Sequence, residues 1–217
     1  IKLWNPDTGE VLRTLASQDS AYTRSIAFSP DGTKLCSGGI NPPGLITVWE
    51  TATGKKLKSF RGHEAGYVHS LAFSPDGTRI ASASSGDGTA RLWETRTGKE
   101  LHTLNVNSRY LYSVVFSPDG KILATGDSTV KLWDPQTGKE LRRIQGPGHG
   151  IVSLAFSPDG KTLASGGNIS TLNLWDLATG KMLREFQGSA GRVSSVAFRP
   201  DGKTLASGGD DGRVQLW

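Results

Sequence analysis

The stretch from Gly62 to Glu94, GHEAGYVHSLAFSPDGTRIASASSGDGTARLWE, contains the pattern that decides the fold. Its turn sequence and its terminal tryptophan return at regular intervals along the 217-residue chain. Two sets of markers keep a period of about 40–45 residues, a length typical of a unit of four short strands. They are Trp4, Trp49, Trp93, Trp133, Trp175 and Trp217, and Phe28, Phe73, Phe116, Phe156 and Phe198. The period predicts a repeat protein with five copies of one unit.

Each unit divides into four predicted strands. The first, for example SLAFSP, is apolar almost throughout, which indicates a strand that is buried on both faces. Pro-Asp-Gly then predicts a tight turn, because proline suits its second position and glycine accepts the left-handed conformation that follows. The second strand reads RIASAS, the third ARLW and the fourth KELHTL. Since polarity rises from the first strand to the last, we expect a radial sheet with its first strand at the centre.

These motifs resemble those of the WD-repeat family of β-propellers. The matching residues are Gly62–His63, Trp133–Asp134, Trp175–Asp176 and five copies of the turn F-[SR]-P-D-G. The resemblance covers the whole chain and implies an all-β fold, a WD40 β-propeller built of four-stranded antiparallel blades. The wording SPDGKTLASGG is similar to that of many bacterial members, in which such repeats often form the sensor ends of larger signalling proteins.

The strands predict a single propeller region over residues 1–217 that begins and ends within a blade. Ile1–Trp4 and Val214–Trp217 both read as third strands, so one of them has no place in a closed five-bladed ring. Propellers of the resembled family usually have seven blades, and we expect these five repeats to be part of such a larger propeller. A five-bladed ring is the alternative. An open arc would expose apolar blade edges and favour self-association.

A polar network within one blade is implied by the resemblance. In the family, a histidine, a serine or threonine, an aspartate and the tryptophan form a hydrogen-bonded chain, and the second copy matches with His63, Ser82, Asp87 and Trp93. A Ser-His-Asp set is also found in hydrolases, but Ser82 lies within a predicted buried strand, so a structural role is favoured. The histidine position holds Gln18, Asn107, Pro147 and Ser189 in the other copies.

At two positions of the repeat the residue type differs among the five copies, whereas most other positions barely vary. These residues lie six and four positions before each marker phenylalanine or beside those positions, and we expect them on the phenylalanine side of the pleat. In the resembled family this region is the rim of the central channel, a usual binding face. All four tyrosines fall in the set, and Tyr and Arg dominate binding hot spots. The candidate surface comprises Tyr22, Arg24, Tyr67, His69, Arg109, Tyr110, Tyr112 and Arg192. The alternative is that the tyrosines only seal the channel mouth or fill space between blades.

The composition bears on nucleic-acid binding, disulfides, membrane spans and cofactors. The net charge of +5 comes largely from lysines that recur in equivalent turns, so nucleic acid is not expected as a partner. The single cysteine, Cys36, forms no internal disulfide; we expect it to be buried, and the protein to be cytoplasmic. The sequence contains no apolar run of the roughly 20 residues that a membrane span needs. It also lacks a phosphate-binding loop and metal-ligand spacing, so no cofactor or metal is expected.

The sequence therefore predicts a non-enzymatic interaction scaffold or sensor. We expect it to bind a protein or peptide on the face where the inner strands begin. The alternative is a structural or self-assembling repeat fragment, natural or engineered, that has no external ligand and associates through open blade edges.

Overall fold

A computed structural model describes residues 1–16, 22–40, 44–64, 66–108, 110–146, 148, 150–187 and 191–217. These residues form 21 strands, which are arranged in six antiparallel sheets. The described residues contain no helix of the length and apolar character that would cross a membrane.

Four of the sheets are complete four-stranded blades with the strands in sequence order. A two-stranded sheet precedes them, with β1 at Lys2–Trp4 and β2 at Val11–Thr14. Blade 1 contains β3 (Thr23–Phe28), β4 (Lys34–Gly39), β5 (Leu45–Glu50) and β6 (Lys56–Arg61), and blade 2 contains β7 (Gly66–Phe73), β8 (Arg79–Gly86), β9 (Thr89–Glu94) and β10 (Glu100–Asn105). Blade 3 contains β11 (Ser113–Phe116), β12 (Leu123–Gly126), β13 (Val130–Trp133) and β14 (Glu140–Ile144), and blade 4 contains β15 (Ile151–Phe156), β16 (Thr162–Gly167), β17 (Thr171–Asp176) and β18 (Met182–Gln187). Blade 5 has three strands, β19 (Val193–Phe198), β20 (Leu205–Gly209) and β21 (Val214–Leu216).

The hydrophobic core lies between successive blades rather than within any one of them. One cluster joins Ala83 and Leu92 of blade 2 to Leu111, Val114 and Leu123 of blade 3 and its neighbouring segment. In blades 1 to 4, second and third strands are almost wholly buried, whereas fourth strands are mostly exposed. The outer position of the polar fourth strand is as the sequence predicted. The expectation that the first strand is buried on both faces was wrong: β3 is mostly exposed and β7 and β15 are only partly buried, because the first strand is the inner edge of its sheet.

The Ser-Pro-Asp-Gly turns are held by side chains of the turn itself. In blade 2, the Ser74 hydroxyl donates to Asp76 Oδ1 at 2.5 Å and accepts the Arg79 amide at 2.9 Å. The hydrogen bond from Ser74 is the main cause that lowers the pKa of Asp76. Gly77 has a φ of +69°, which an L-residue rarely adopts. The turn sequence therefore fixes the hairpin between first and second strands.

Inner-strand serines connect each complete blade to the next one. Each hydroxyl accepts a backbone N–H from the inner strand of the following blade. The bonds run from Leu71 to Ser25 at 2.9 Å, from Val114 to Ser70 at 3.2 Å, from Leu154 to Ser113 at 3.1 Å and from Val196 to Ser153 at 3.1 Å. The serine before the apolar run is thus an interblade link, which the sequence pattern alone did not indicate.

The described strands form a partial propeller, as the sequence predicted. Inner strands contact one another in the order β3, β7, β11, β15 and β19, while β1 pairs with β2 in a separate sheet. Ile26 of blade 1 is 49% exposed, but Leu71 at the same repeat position in blade 2 is 6% exposed. The first blade therefore presents apolar surface that the other blades bury against a neighbour.

Cys36 lies on β4 and is fully buried with a free thiol, as expected. Burial raises the pKa of its thiol to about 12, so the group stays protonated at neutral pH.

Candidate interaction surface

A β-bulge opens the inner strand at the candidate surface. In β7, Val68 pairs with Ser84 and Ser70 pairs with Ala83, so His69 is the extra residue. The same shift occurs in blades 1, 4 and 5, where Arg24, Val152 and Ser194 take this place. Bulges of this kind turn a side chain out of the regular ladder. The position four residues before the phenylalanine is therefore directed by backbone geometry rather than by simple alternation.

The expected side of the pleat was wrong for the residues before this bulge. Regular alternation would place Tyr67 on the same side as Leu71 and Phe73. In the structure it is Val68 that joins Leu71 and Phe73 in the buried core, because the extra residue reverses the alternation. Tyr67 is left 41% exposed.

Four aromatic side chains form a continuous series across blades 2 and 3, which we call the aromatic row. The centroids of Tyr67 and His69 lie 6.3 Å apart. His69 meets Tyr112 edge to face at 4.9 Å with an angle of 89°, and Tyr112 stacks on Tyr110 at 6.4 Å and 27°. Tyr110 is 65% exposed, while His69 and Tyr112 are half-buried. The two central rings, His69 and Tyr112, are therefore packed against neighbours, and the two outer rings, Tyr67 and Tyr110, are accessible to solvent.

His69 is held in its neutral form at the centre of the row. Its Nε2 lies 2.6 Å from the Ser85 hydroxyl. Burial, and then the positive charge of Arg24 in the neighbouring blade, lower the pKa of His69 from 6.5 to about 4. Both causes disfavour the imidazolium ion.

The titration of His69 gives a first prediction. Because the folded state binds this proton only near pH 4 and the unfolded state near pH 6.5, stability is lost as the pH falls from about 6.5 towards 4. We expect His69→Gln to flatten the pH dependence of the urea midpoint between pH 7 and pH 5. An NMR titration of the histidine ring protons, assigned with the same variant, measures the pKa directly. A His69 midpoint near 6.5 would show that its ring is hydrated and free of Arg24.

The remaining candidate residues are distributed unevenly around the row. Arg24 is exposed and acts electrostatically on His69, and Tyr22 is exposed just before β3. Arg192 precedes β19 in blade 5, beyond blade 4, and its Nε is buried without a hydrogen-bond partner among the described residues. Arg109 lies outside the described residues. The structure thus brings Tyr67, His69, Tyr110 and Tyr112 together, places Arg24 nearby, and leaves Arg192 apart.

The predicted polar network is present in blade 2. His63 Nδ1 lies 2.8 Å from Asp87 Oδ2, and His63 Nε2 lies 2.8 Å from the Ser82 hydroxyl, which also accepts the Trp93 indole N–H at 2.9 Å. Burial would raise the pKa of Asp87, but the hydrogen bonds from His63 and Thr89 outweigh this and lower it. Ser82 and His63 are buried, so the arrangement holds the blade together and presents no nucleophile to a substrate.

Blade 3 contains a different network that the sequence analysis missed. Lys131 is buried, forms an ion pair with Asp127 at 3.5 Å and donates to the Val106 carbonyl oxygen. Its ammonium group pairs with Asp127, the counterpart of Asp87 in blade 2, while Asn107 stands at the histidine position. The signal was available: an aspartate is followed four residues later by a basic residue in both blades, as Asp87 and Arg91 show. One part of the blade 2 network is common to all five blades: the tryptophan indole N–H donates to a serine or threonine hydroxyl of the second strand.

A cleft of about 650 Å³ lies at the opposite end of blades 2 and 3, near the Asp-Gly turns. Arg79 donates to the Gln136 side-chain oxygen at 2.6 Å and to the Pro135 carbonyl at 3.3 Å, and Lys121 pairs with Asp119 at 3.9 Å. The Arg79 bonds link blade 2 to blade 3 across the cleft, whereas Lys121 and Asp119 pair within a single turn of blade 3. Among the described residues, no group of three or more His, Cys, Asp or Glu side chains could hold a metal ion.

The sheets and their order place this chain in the class of all-β proteins, as a partial propeller. A family model described as "WD domain, G-beta repeat" matches five segments, residues 9–49, 54–94, 98–134, 138–176 and 180–217. The chain belongs to the WD40 repeat family. These repeats indicate a protein-interaction scaffold, and proteins that carry them are generally non-enzymatic and bind proteins or peptides.

One curated relative is the F-box-like/WD repeat-containing protein TBL1X of Mus musculus. It is 48% identical over 40 residues, which is 18% of this chain and 8% of that protein. The similarity therefore spans about the length of a single repeat, and this chain corresponds to only a small part of that protein.

Proposed function

We propose that this chain is a non-enzymatic scaffold that binds a protein or peptide segment at the aromatic row. The observation that carries this proposal is the contact of four rings across two blades, with Tyr67 and Tyr110 open to solvent at its ends. A partner segment laid across the row would cover large apolar ring surfaces and could bond to the tyrosine hydroxyls.

Aromatic rings suit this role because they lose little conformational entropy on binding. Tyrosine has two side-chain torsions and a large rigid surface with a polar end. Contact within the row restricts the rings further, so less ordering is required when a partner binds. A purely space-filling role would not leave Tyr110 65% exposed.

A second candidate function is self-association. It is favoured by the apolar strip of Trp4, Ile26 and Phe28, all about half exposed beside the first blade. In that case the aromatic row would have no partner, and the oligomeric state would depend on the strip rather than on the tyrosines.

The proposal predicts a strong effect of Tyr110 on peptide binding. Peptides selected from a displayed library of random twelve-residue sequences should bind the wild-type chain, and Tyr110→Ala should weaken their binding about tenfold or more. The fold should be unchanged, because the Tyr110 side chain is mostly exposed. Fluorescence anisotropy with a labelled selected peptide measures the dissociation constant.

Leu183→Ala is the matched control, since Leu183 is 54% exposed on the outer strand β18 of blade 4. It should bind the peptide as the wild type does. Equal binding by Tyr110→Ala, or a failure to select any peptide, would contradict the proposal. Light scattering on the same samples tests self-association, for which a dimer that persists in Tyr110→Ala would be the signature.

A further inference from the structure

We infer that the segment bound at the aromatic row is acidic, with an anionic side chain seated between Arg24 and the rings of His69 and Tyr112. This inference rests on the proposed function and adds the chemical class of the partner. The anion is a carboxylate or a phosphate group on a peptide.

The first step is the position of Arg24. It occupies the bulged position of β3, which is the same repeat position as His69 in β7. His69 in turn meets Tyr112, which lies four residues before the phenylalanine of blade 3. Three successive blades thus present an arginine, a neutral histidine and a tyrosine from equivalent positions at the end where the inner strands begin.

The second step is the positive charge of Arg24. Across the described part of the chain, no carboxylate forms an ion pair with Arg24. The carboxylates after the second strands of blades 2 and 3 are engaged elsewhere, Asp87 with His63 and Asp127 with Lys131. Among the described residues, the positive charge that Arg24 places beside the aromatic row is therefore not neutralised by an ion pair.

The third step separates an anionic from a cationic partner. Aromatic faces by themselves attract cations, and a row of tyrosines without Arg24 would suit a lysine side chain. Arg24 reverses this preference, because it repels a second positive charge while its guanidinium group binds carboxylates and phosphates in a two-pronged geometry. Tyr67 and Tyr110 are exposed, and their hydroxyls can act as further donors to an anion.

The experiment uses two displayed peptide libraries of twelve residues. One contains Asp and Glu but no Lys or Arg, and the other contains Lys and Arg but no Asp or Glu. We expect Tyr110-dependent binders from the acidic library. Their dissociation constant, measured by anisotropy at 50 mM NaCl, should rise about tenfold or more in Arg24→Gln, and raising the salt should weaken the wild-type complex more than that of the variant.

Arg96→Gln is the matched control, because Arg96 is a highly exposed arginine in the turn between β9 and β10. It should bind as the wild type does. A second readout follows from the geometry: an anion beside Arg24 should raise the pKa of His69 in the complex, which the NMR titration detects. This readout is made on the wild-type protein, so it does not depend on whether Arg24→Gln disturbs the fold.

The outcomes separate the inference from the proposed function. Tyr110-dependent binders that come from the basic library, or that are indifferent to Arg24→Gln, would overturn the inference and leave the proposed function in place. Failure of both libraries to give Tyr110-dependent binders would overturn both. Replacing a glutamate of the best acidic binder with phosphoserine then identifies the source of the anion: about tenfold tighter binding indicates a phosphorylated segment, and unchanged or weaker binding indicates a carboxylate.

Discussion

His63→Ala is expected to lower the free energy of unfolding by about 2–4 kcal/mol. The imidazole is buried and bonds on both sides, to Asp87 and to Ser82, so its removal leaves a cavity and takes a partner from each neighbour. Asp87 keeps its bonds from Thr89, which limits the loss to this range. Urea unfolding followed by tryptophan fluorescence measures the effect.

His102→Ala is the control for this substitution. His102 is only half-buried, and its Nε2 contact with the Gln136 carbonyl, at 2.9 Å, is exposed, so its removal should cost less than about 1 kcal/mol. If the two variants unfold at the same urea concentration, the His63–Ser82–Asp87 network contributes no more to stability than the exposed contact of His102. The blade would then be held by its apolar contacts alone.

Gly166→Ala is expected to cost about 1–3 kcal/mol, because the added methyl group overfills the interface between blades 4 and 5. A Cβ at this position would lie 2.5 Å from Val193 Cγ1 and 3.0 Å from Val196 Cγ1. Both valines belong to β19 and are buried, so they have little room to move. Urea unfolding again measures the change.

Gly208→Ala is a control at the same repeat position, one blade further along. Among the described residues outside its chain neighbours, the nearest heavy atom to its Cβ would be the Arg213 carbonyl oxygen, at 3.9 Å. Without a clash, replacing glycine within a strand should be neutral or stabilise by about 0.5–1 kcal/mol. Equal losses in the two variants would mean that the cost arises within the strand and not between blades.

The repeat pattern allowed most of the fold to be predicted. The turn Ser-Pro-Asp-Gly and the strand ending in tryptophan specify local structure, and both were placed correctly because their residues act over short distances. The bulge in the first strand was missed, although a signal exists. In YVHSLAF, Val68 and Leu71 are three residues apart, a spacing that regular alternation cannot place on one face.

The candidate surface was predictable as a set of residues but not as an arrangement. Variation at the start of the inner strands identified the tyrosines, yet their contacts depend on how far one blade is rotated against the next. That rotation follows from packing between repeats, which sequence periodicity does not encode. The burial of Lys131 was missed for a similar reason: a charged residue is expected at the surface unless its buried partners, here Asp127 and a backbone carbonyl, are known.

The interblade serines give the array a direction. Each hydroxyl protects a backbone N–H of the blade that follows it, and none of these four bonds runs the other way. The amides of Leu71, Val114, Leu154 and Val196 are therefore shielded by a neighbour rather than by their own sheet. Their exchange with solvent reports the parting of two blades, whereas exchange of the ladder amides reports the opening of one blade, so the chain carries separate internal markers for the two motions.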